Sequence, residues 1–367
     1  MTIARNEKKS RETPLARTVL RTIKMGSITP KEETILITGI SGFVASHIAH
    51  TFLEAGYHVR GTVRSDKSIA GIKQAHSQYE DQLSFVVVPD MAATDALNEA
   101  MDGVTGVIHT ANPFILDPKD NEEELLKPSI NGVLNVLKAG ATQGPTLRRI
   151  VLTASFACNL DLSQGLRPGY TYTESDWNPA TYEEAKNSSS GAFTYCAAKG
   201  LAEKAAWEWI EKNRPSFSFT AINPPWIFGP SLTGIKSLDH LNESTEAIWK
   251  LVNGSAKEVP PIDFAGCADV RDIGLAHLRA YELEEAAGQR FIVGSHFDYQ
   301  TAVDTLRDDF PQIQDRIPRG TPGKREPVYQ VDGSKAEKVL GIKYTPLSVT
   351  LKDTVNDLLD AEKVLTT

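Results

Sequence analysis

Between residues 34 and 154 the sequence alternates short apolar runs with longer runs of helical periodicity, and this alternation restricts the fold more than any other feature. The first run, TILIT, is followed by FVASHIAHTFLEAG, which closes on a glycine as helices commonly do. Strand-like runs recur at 57–63, 83–88, 104–110, 148–154 and, after a polar stretch, 217–223, and helical patterns lie near 68–80, 94–101, 121–143 and 194–213. Crossovers of this length join parallel strands, so we expect an α/β fold with a doubly wound parallel sheet.

The turn after the first run carries small residues where a nucleotide-binding turn requires them. Gly39, Gly42 and Ala45 form a G-x-x-G-x-x-A pattern between the predicted strand and helix. Small residues let the chain turn sharply, let the backbone approach a pyrophosphate and let the helix pack close to the strand. The helix N-terminus adds free N–H groups and the positive end of its dipole. Because the pattern opens a longer alternating series, it predicts a Rossmann-type dinucleotide-binding domain rather than a simple tight turn.

The second strand-like run ends in TVRSDK, where selectivity between NAD and NADP is expected to arise. Sites that prefer NAD usually carry an acid here, which binds the ribose 2′-hydroxyl, but this sequence has Arg64. A guanidinium suits a 2′-phosphate because it forms charged, often bidentate hydrogen bonds, and Lys67 is close enough in sequence to assist. We therefore predict NADP(H) as the cofactor, the alternative being that Arg64 is a solvated surface charge.

Two Tyr-x-x-x-Lys pairs occur, Tyr195 with Lys199 and Tyr182 with Lys186. Residues four apart share a helix face, and an ammonium beside a phenol favours the ionised phenol. Either pair therefore has the spacing of a proton-handling unit, and the pattern alone does not choose between them.

Ten stretches from residue 33 to 345 carry a family resemblance: TGISGFVASHI, GTVRS, VVPDM, VIHTANPF, PSINGVLNVLKA, IVLTAS, YCAAKGLAEKAAWEWIEKN, NPPWIFGPS, ADVRDIGLAHLRA and VLGIKYTPL. Through them the chain resembles the extended short-chain dehydrogenase/reductases, and most closely fungal methylglyoxal, aldehyde and ketone reductases and plant dihydroflavonol 4-reductases. The resemblance implies an NADPH-dependent reductase that transfers hydride to an aldehyde or ketone carbonyl, with secondary metabolism as one setting.

The resemblance also selects one of the two tyrosine pairs. In the family the pair works with a serine that ends the fifth strand, and Ser155 in LTASFA matches it. Tyr195 follows Ser155 at the family's distance and Tyr182 does not. The resemblance implies that Ser155 orients the carbonyl, that Tyr195 donates the proton, and that Lys199 lowers the pKa of Tyr195 and binds the ribose. The Tyr182 pair is then accidental, and we expect its surroundings to be a mobile polar loop.

Further site residues follow from matched motifs. The cofactor is expected to contact Gly39, Ile40, Ser41, Gly42, Phe43, Val44, Asp90, Met91, Thr110, Ala111, Ile227 and Ser244, in addition to Arg64, Lys67, Tyr195 and Lys199. The substrate is expected to contact Phe114, Phe156 and Trp226, with ordinary core packing as the alternative for each. Sugar-nucleotide dehydratases of the wider family have an Asp-Glu pair after the serine, but this chain has Phe156 and Ala157, so elimination chemistry is not expected.

The composition of the chain limits the classes of partner that it is expected to bind. The net charge of −8 argues against a nucleic-acid partner, and no apolar run is long enough to span a membrane. The three cysteines, Cys158, Cys196 and Cys267, are widely spaced, which fits reduced thiols and no metal site. We therefore expect a cytoplasmic monomer or homodimer that acts on a small-molecule carbonyl substrate.

The chain is predicted to divide into four parts. These are a basic, disordered extension over 1–30, an NADP-binding domain over 31–225 with returning C-terminal segments, an interleaved substrate-binding lobe over 226–345, and a C-terminal helix over 346–367. A mitochondrial targeting segment is a second interpretation of the basic extension.

Two other functions stay open. One is an isomerase of the same fold, such as a sugar-nucleotide epimerase that retains NAD, and Arg64 argues against it. The other is a non-catalytic dinucleotide sensor, and the presence of Ser155, Tyr195 and Lys199 together argues against it.

Overall fold

The computed structural model describes residues 30–366, and parallel strands form its centre. The strands in chain order are β1 (Thr34–Thr38), β2 (His58–Val63), β3 (Leu83–Val87), β4 (Gly106–His109), β5 (Arg149–Thr153), β6 (Thr171–Tyr172), β7 (Ser218–Asn223), β8 (Trp226–Phe228), β9 (Gly266–Asp269), β10 (Arg290–Ile292), β11 (Ser295–His296) and β12 (Gln330–Val331). Seven of them make one sheet in the order β10-β7-β5-β4-β1-β2-β3. All neighbours in this sheet are parallel, as predicted.

Helices cover both faces of this sheet. The helices in chain order are α1 (Phe43–Glu54), α2 (Ile69–Ala75), α3 (Asn98–Met101), α4 (Lys127–Thr142), α5 (Tyr182–Lys186), α6 (Gly191–Asn213), α7 (Glu243–Val252), α8 (Val270–Glu282), α9 (Tyr299–Asp309), α10 (Ser334–Leu340) and α11 (Leu347–Leu365). Helices α1 and α8 pack on one face of the large sheet, and α4 and α6 pack on the other. The doubly wound Rossmann-type fold is therefore confirmed.

Strand β1 shows why its residues are apolar without interruption. Ile35 and Ile37 pack on the face covered by α1 and α8, whereas Leu36 packs on the face covered by α4 and α6. All three side chains are fully buried. Burial on both faces is typical of parallel sheets and removes the polar alternation seen in half-exposed strands.

The order of the strands determines where a ligand binds. The chain leaves β1 toward β2 and β3 on one side, then crosses to β4 on the other. At such a switch point the loops after β1 and β4 diverge and open a crevice at the carboxyl ends of the strands. The first glycine pattern and the Ser155 segment both lie at this edge of the sheet.

The C-terminal third adds a smaller lobe. Strands β8 and β9 pair in parallel and β9 and β11 antiparallel, and α7, α9 and α11 pack around a core that includes Phe228, Phe297 and Leu351. Strand β10 returns to the large sheet beside β7.

The predicted domain limits stay predictions, and residues 1–29 of the predicted basic extension lie outside the described residues. Over residues 30–366, no helix has the length and apolar character needed to cross a membrane.

The predicted mobile loop around Tyr182 is instead the short helix α5. Thr181 and Glu184 cap it reciprocally. The Tyr182 hydroxyl donates to Glu122 (2.9 Å), and Lys186 pairs with the same carboxylate (2.7 Å). The sequence did not predict this order because the carboxylate that binds Tyr182 and Lys186 lies 60 residues before Tyr182 in the chain.

Candidate active site

The glycine loop after β1 is shaped to receive a phosphate. Gly39 has a φ of +65°, and a Cβ added there would lie 3.0 Å from the Cβ of Ala111. Gly42 stands at the start of α1 and offers no side-chain cap to its first turn. The N–H groups of that turn are therefore available to an anion, with the helix dipole in support.

The Thr38 hydroxyl at the end of β1 binds the chain just after β4, and this contact, the hydroxyl clamp, lies beside the glycine loop. The Thr38 Oγ1 accepts the backbone N–H groups of Thr110 (3.0 Å) and Ala111 (3.1 Å). The Thr38 hydroxyl therefore donates its own proton to Nδ1 of His109, at 2.8 Å. Burial lowers the pKa of His109 to about 3, so the ring is neutral and structural.

Over residues 30–366, no three His, Cys, Asp or Glu side chains cluster as a metal site would require.

A cavity of about 570 Å³ opens above the clamp. It brings together most of the residues predicted to bind the adenine, phosphate and 2′-phosphate parts of the cofactor: Gly39, Ser41, Gly42, Arg64, Asp90, Met91, Thr110 and Ala111. Residues that the sequence reasoning missed also line it, among them Ser65, Ser68 and Asn112. The two serines follow the end of β2 next to Arg64, which is the signal that could have identified them.

A second cavity, of about 460 Å³, continues the first, since Gly42, Thr110 and Asn112 line both. It carries seven further predicted residues: Phe43, Val44, Ser155, Tyr195, Lys199, Ile227 and Ser244. The two cavities form one trough that runs from Arg64 to the predicted catalytic residues. Its chemistry fits a phosphorylated dinucleotide, with a cation at one end and the glycine loop in the middle.

Two predicted cofactor residues do not reach the trough. The Ile40 side chain is fully buried against Gly61, and its N–H donates to the Thr62 carbonyl (3.1 Å). Lys67 is exposed and does not line the trough. Ile40 therefore supports the loop from behind, and Lys67 is a surface charge in this structure.

Phe156 also requires a correction. Its side chain is fully buried and packs against Tyr172 and Tyr329 in an aromatic cluster. The chain turns into a 3₁₀ turn after Ser155, and the next side chain faces the core instead of the substrate. Core packing, the alternative interpretation, is correct for this residue.

The three predicted catalytic side chains meet at the end of β5. The Ser155 Oγ accepts the Ala157 N–H (3.1 Å), and the Ser155 and Tyr195 side chains line the second cavity together. The buried Lys199 lies one helical turn after Tyr195 on α6, and its Nζ donates to the Thr153 carbonyl (3.1 Å). The Ala157 N–H, in the 3₁₀ turn after β5, thus fixes the serine, and the Thr153 carbonyl, at the end of β5, fixes the lysine.

The electrostatics differ from the prediction. Burial raises the pKa of Tyr195, because a phenolate there would lose its hydration, and the nearby Ser155 side chain opposes this only in part. Burial also lowers the pKa of Lys199. The predicted lowering of the Tyr195 pKa by Lys199 is therefore not seen. Tyr195 is protonated at neutral pH, which is the state that a proton donor requires.

A third cavity, of about 330 Å³, meets the trough at Ser155 and Tyr195. Phe114 and Trp226, both predicted to contact substrate, line it, and the Phe114 and Tyr195 ring centroids are 4.5 Å apart. The Trp226 Nε1 donates to Asp263 (3.0 Å), so the polar atom of this wall is already satisfied. The charged residues Glu243, Lys250 and Asp263 also line this cavity, but most of its surface is carbon, and it lies beside the hydroxyls predicted to be catalytic.

A dinucleotide trough that ends at a Ser-Tyr-Lys set beside an apolar cavity defines a nicotinamide-dependent oxidoreductase on a Rossmann-type fold. Residues 35–294 match the model of the NAD dependent epimerase/dehydratase family, and the chain belongs to that family. The predicted family is thereby confirmed.

Named relatives agree with this class. The chain is 36% identical over 341 residues to the NADPH-dependent methylglyoxal reductase GRE2 of Saccharomyces cerevisiae, covering 90% of this chain and 99% of that protein. It is 35% identical over 352 residues to the ketoreductase azaE of Aspergillus niger, covering 92% and 99%. The crystal structure of yeast methylglyoxal/isovaleraldehyde reductase Gre2 complexed with NADPH matches with a TM-score of 0.83 at 35% identity, covering 90% of this chain and 99% of that one. These matches confirm the prediction of an NADPH-dependent oxidoreductase.

Proposed function

We propose that this protein reduces the carbonyl group of a small, predominantly apolar aldehyde or ketone with NADPH. The observation that carries the proposal is the meeting of Ser155, Tyr195 and Lys199 at the junction of the trough and the apolar cavity. The similarity to a methylglyoxal reductase and a ketoreductase supports it.

NADPH, when bound, supplies the hydride. The Ser155 Oγ accepts the Ala157 N–H, so its own proton can hydrogen-bond a carbonyl oxygen in the cavity. Tyr195, kept protonated by burial, donates its proton to that oxygen as the alcohol forms. The Lys199 ammonium, fixed on the Thr153 carbonyl, is placed to bind the ribose.

Consumption of NADPH tests this function. A panel of aliphatic and aromatic aldehydes and ketones is incubated with the protein, and the nicotinamide absorbance is followed with NADPH or NADH. Loss of absorbance with equimolar alcohol formation is expected with NADPH. A protein that consumes no NADPH with any carbonyl contradicts the proposal. Purification with tightly bound NAD and turnover without added cofactor would indicate an epimerase, which the small apolar cavity disfavours.

Cofactor choice is tested at Arg64, an exposed cation in the wall of the trough. A charged hydrogen bond to the 2′-phosphate is worth about 1.5–3 kcal/mol, so Arg64→Ala should raise the KM for NADPH roughly ten- to over a hundredfold and barely change that for NADH. The exposed Lys67 lies outside the trough, so Lys67→Ala is a matched control for charge. Equal effects of Arg64→Ala on the KM values for NADPH and NADH would mean that Arg64 is a solvated surface charge and does not bind the 2′-phosphate.

A further inference from the structure

A buried polar network lies directly behind the catalytic serine. The Glu203 carboxylate, fully buried on α6, accepts hydrogen bonds from Arg290 Nε (2.6 Å), Trp207 Nε1 (3.1 Å) and Asn223 Nδ2 (2.7 Å). The Arg290 guanidinium lies 3.5 Å from the centroid of the Trp177 ring, which covers it. A buried carboxylate is tolerated only when paired and hydrogen-bonded in this way. The network therefore holds Asn223 in one place.

Asn223, the last residue of β7, joins this network to the active site. Its Nδ2 donates both to Glu203 and to the backbone carbonyl of Ser155 (3.1 Å). Both partners only accept hydrogen bonds, so the orientation of the amide is fixed by chemistry. The other amide atom, Oδ1, is buried and has no hydrogen-bond partner within the described residues. An unsatisfied buried oxygen costs stability, so the residue is better explained by what its N–H group holds than by packing.

The hydrogen bond from the Asn223 side chain to the Ser155 carbonyl lies just beyond the end of β5. Strand β5 finishes at Thr153, and the next amide, that of Ala154, still donates to the Ile222 carbonyl of β7 (2.8 Å). Two residues further, the Phe156 N–H donates to the Pro224 carbonyl (2.8 Å). Between these two bonds, the Asn223 side chain holds the Ser155 carbonyl. The segment that carries the catalytic hydroxyl is thus fixed on both sides.

We propose that Asn223, held by the Glu203–Arg290 ion pair, is a positioning residue that acts on carbonyl reduction through Ser155. This inference rests on the proposed reductase function. Asn223 lies outside the trough and the apolar cavity, so it touches neither cofactor nor substrate. Its effect is therefore on kcat, through the direction of the Ser155 hydroxyl, and not on the affinity for NADPH.

A double-mutant cycle tests this directly. Asn223→Ala alone should lower kcat about tenfold, the effect of one lost hydrogen bond, with the Kd for NADPH unchanged. In a Ser155→Ala background the same change should lower kcat by less than about twofold, because the group that it positions is gone. If turnover of Ser155→Ala is below detection, the cycle is run on the Kd of the alcohol product in the NADP⁺ complex, which depends on the same hydroxyl.

Two further variants separate positioning from folding. Thr220→Val, on the same strand, removes a buried hydroxyl that donates to the Ala286 carbonyl (2.7 Å) but has no link to Ser155, so kcat should be unchanged. Glu203→Gln keeps the buried volume and one acceptor oxygen, and should show a smaller kcat loss with the same dependence on Ser155; it replaces Asn223→Ala if that chain does not fold.

Two results overturn the inference. One is an equal fold loss from Asn223→Ala in the native and the Ser155→Ala backgrounds, which would mean that Asn223 acts independently of the serine. The other is a loss of kcat no larger than that of Thr220→Val. A native protein that reduces no carbonyl overturns the proposed function instead.

Discussion

At the scale of single residues, burial and neighbours separate two tyrosine–lysine pairs that share one spacing. Tyr182 and Lys186 both bind the Glu122 carboxylate, and neither lines the trough or the apolar cavity. Tyr195 lines both the trough and the apolar cavity, and Lys199 lies beside it against the end of β5. The first pair is a surface hydrogen-bond arrangement, whereas the second faces the place where a carbonyl and a nicotinamide can meet.

We predict that Tyr195→Phe lowers kcat by about 10²–10⁴-fold, because it removes the proposed proton donor and keeps the ring that packs against Phe114. NADPH should still bind, since Lys199 and the glycine loop remain, and protein fluorescence measures that affinity. Tyr182→Phe is the matched control and should change kcat by less than about threefold. Near-normal turnover of Tyr195→Phe, above all with an inactive Tyr182→Phe, would reverse the assignment.

Residue types and spacing predicted the glycine loop, but the family resemblance was needed to group Ser155, Tyr195 and Lys199 with it, and the structure places them along one trough. They were not enough for Phe156, whose direction depends on a 3₁₀ turn, or for Asn223, whose partner is a buried carboxylate from another element. The pKa of Tyr195 was predicted in the wrong direction because burial, a tertiary property, outweighs a neighbouring charge in this structure.

At the scale of elements, the start of α6 and the loop after β4 shape the apolar cavity together. Helix α6 begins at Gly191, three residues before the predicted start at 194, because the Ser190 hydroxyl caps it by accepting the Phe193 N–H (3.3 Å). The loop carries Phe114 and Leu116, which both line the cavity. A Cβ on Gly191 would lie 1.6 Å from the Leu116 carbonyl oxygen, so the two segments are in direct backbone contact.

Gly191→Ala should therefore displace the loop rather than the helix. We expect a rise of several-fold in the KM for the carbonyl substrate, a lower Tm and little change in the Kd for NADPH, measured by steady-state kinetics and thermal unfolding. Gly132→Ala is the control for stability alone: Gly132 lies inside α4 and lines the trough, with no atom within 4 Å of its Cβ position, so alanine should raise the Tm of the cofactor-free protein through helix propensity, worth about 1 kcal/mol. An unchanged KM in Gly191→Ala would show that the loop is not held at this contact.

At the scale of the whole molecule, four buried imidazoles couple the fold to pH. Burial lowers the pKa of His47, His76 and His277 to about 4 and that of His109 to about 3. Well above pH 6.5 these rings are neutral in the folded and the unfolded chain alike and cause no pH dependence. As the pH falls through about 6.5 toward 4, the unfolded chain binds protons that the folded chain excludes, so stability decreases.

We therefore predict that the Tm falls progressively between about pH 6.5 and 4.5, each such histidine contributing up to about 1.4 kcal/mol per pH unit. The buried Asp272 carboxyl and the half-buried Asp357 carboxyl have pKa values raised by desolvation and act in the opposite direction, but they are two groups against four. His76 is fully buried and neither ring nitrogen has a hydrogen-bond partner within the described residues, so His76→Leu should make the decline of Tm with pH less steep. The exposed His240 serves as control, because His240→Gln should leave the slope unchanged. If both variants keep the native slope, other groups cause the acid sensitivity; if His76→Leu alone flattens it, the desolvated imidazole is the cause.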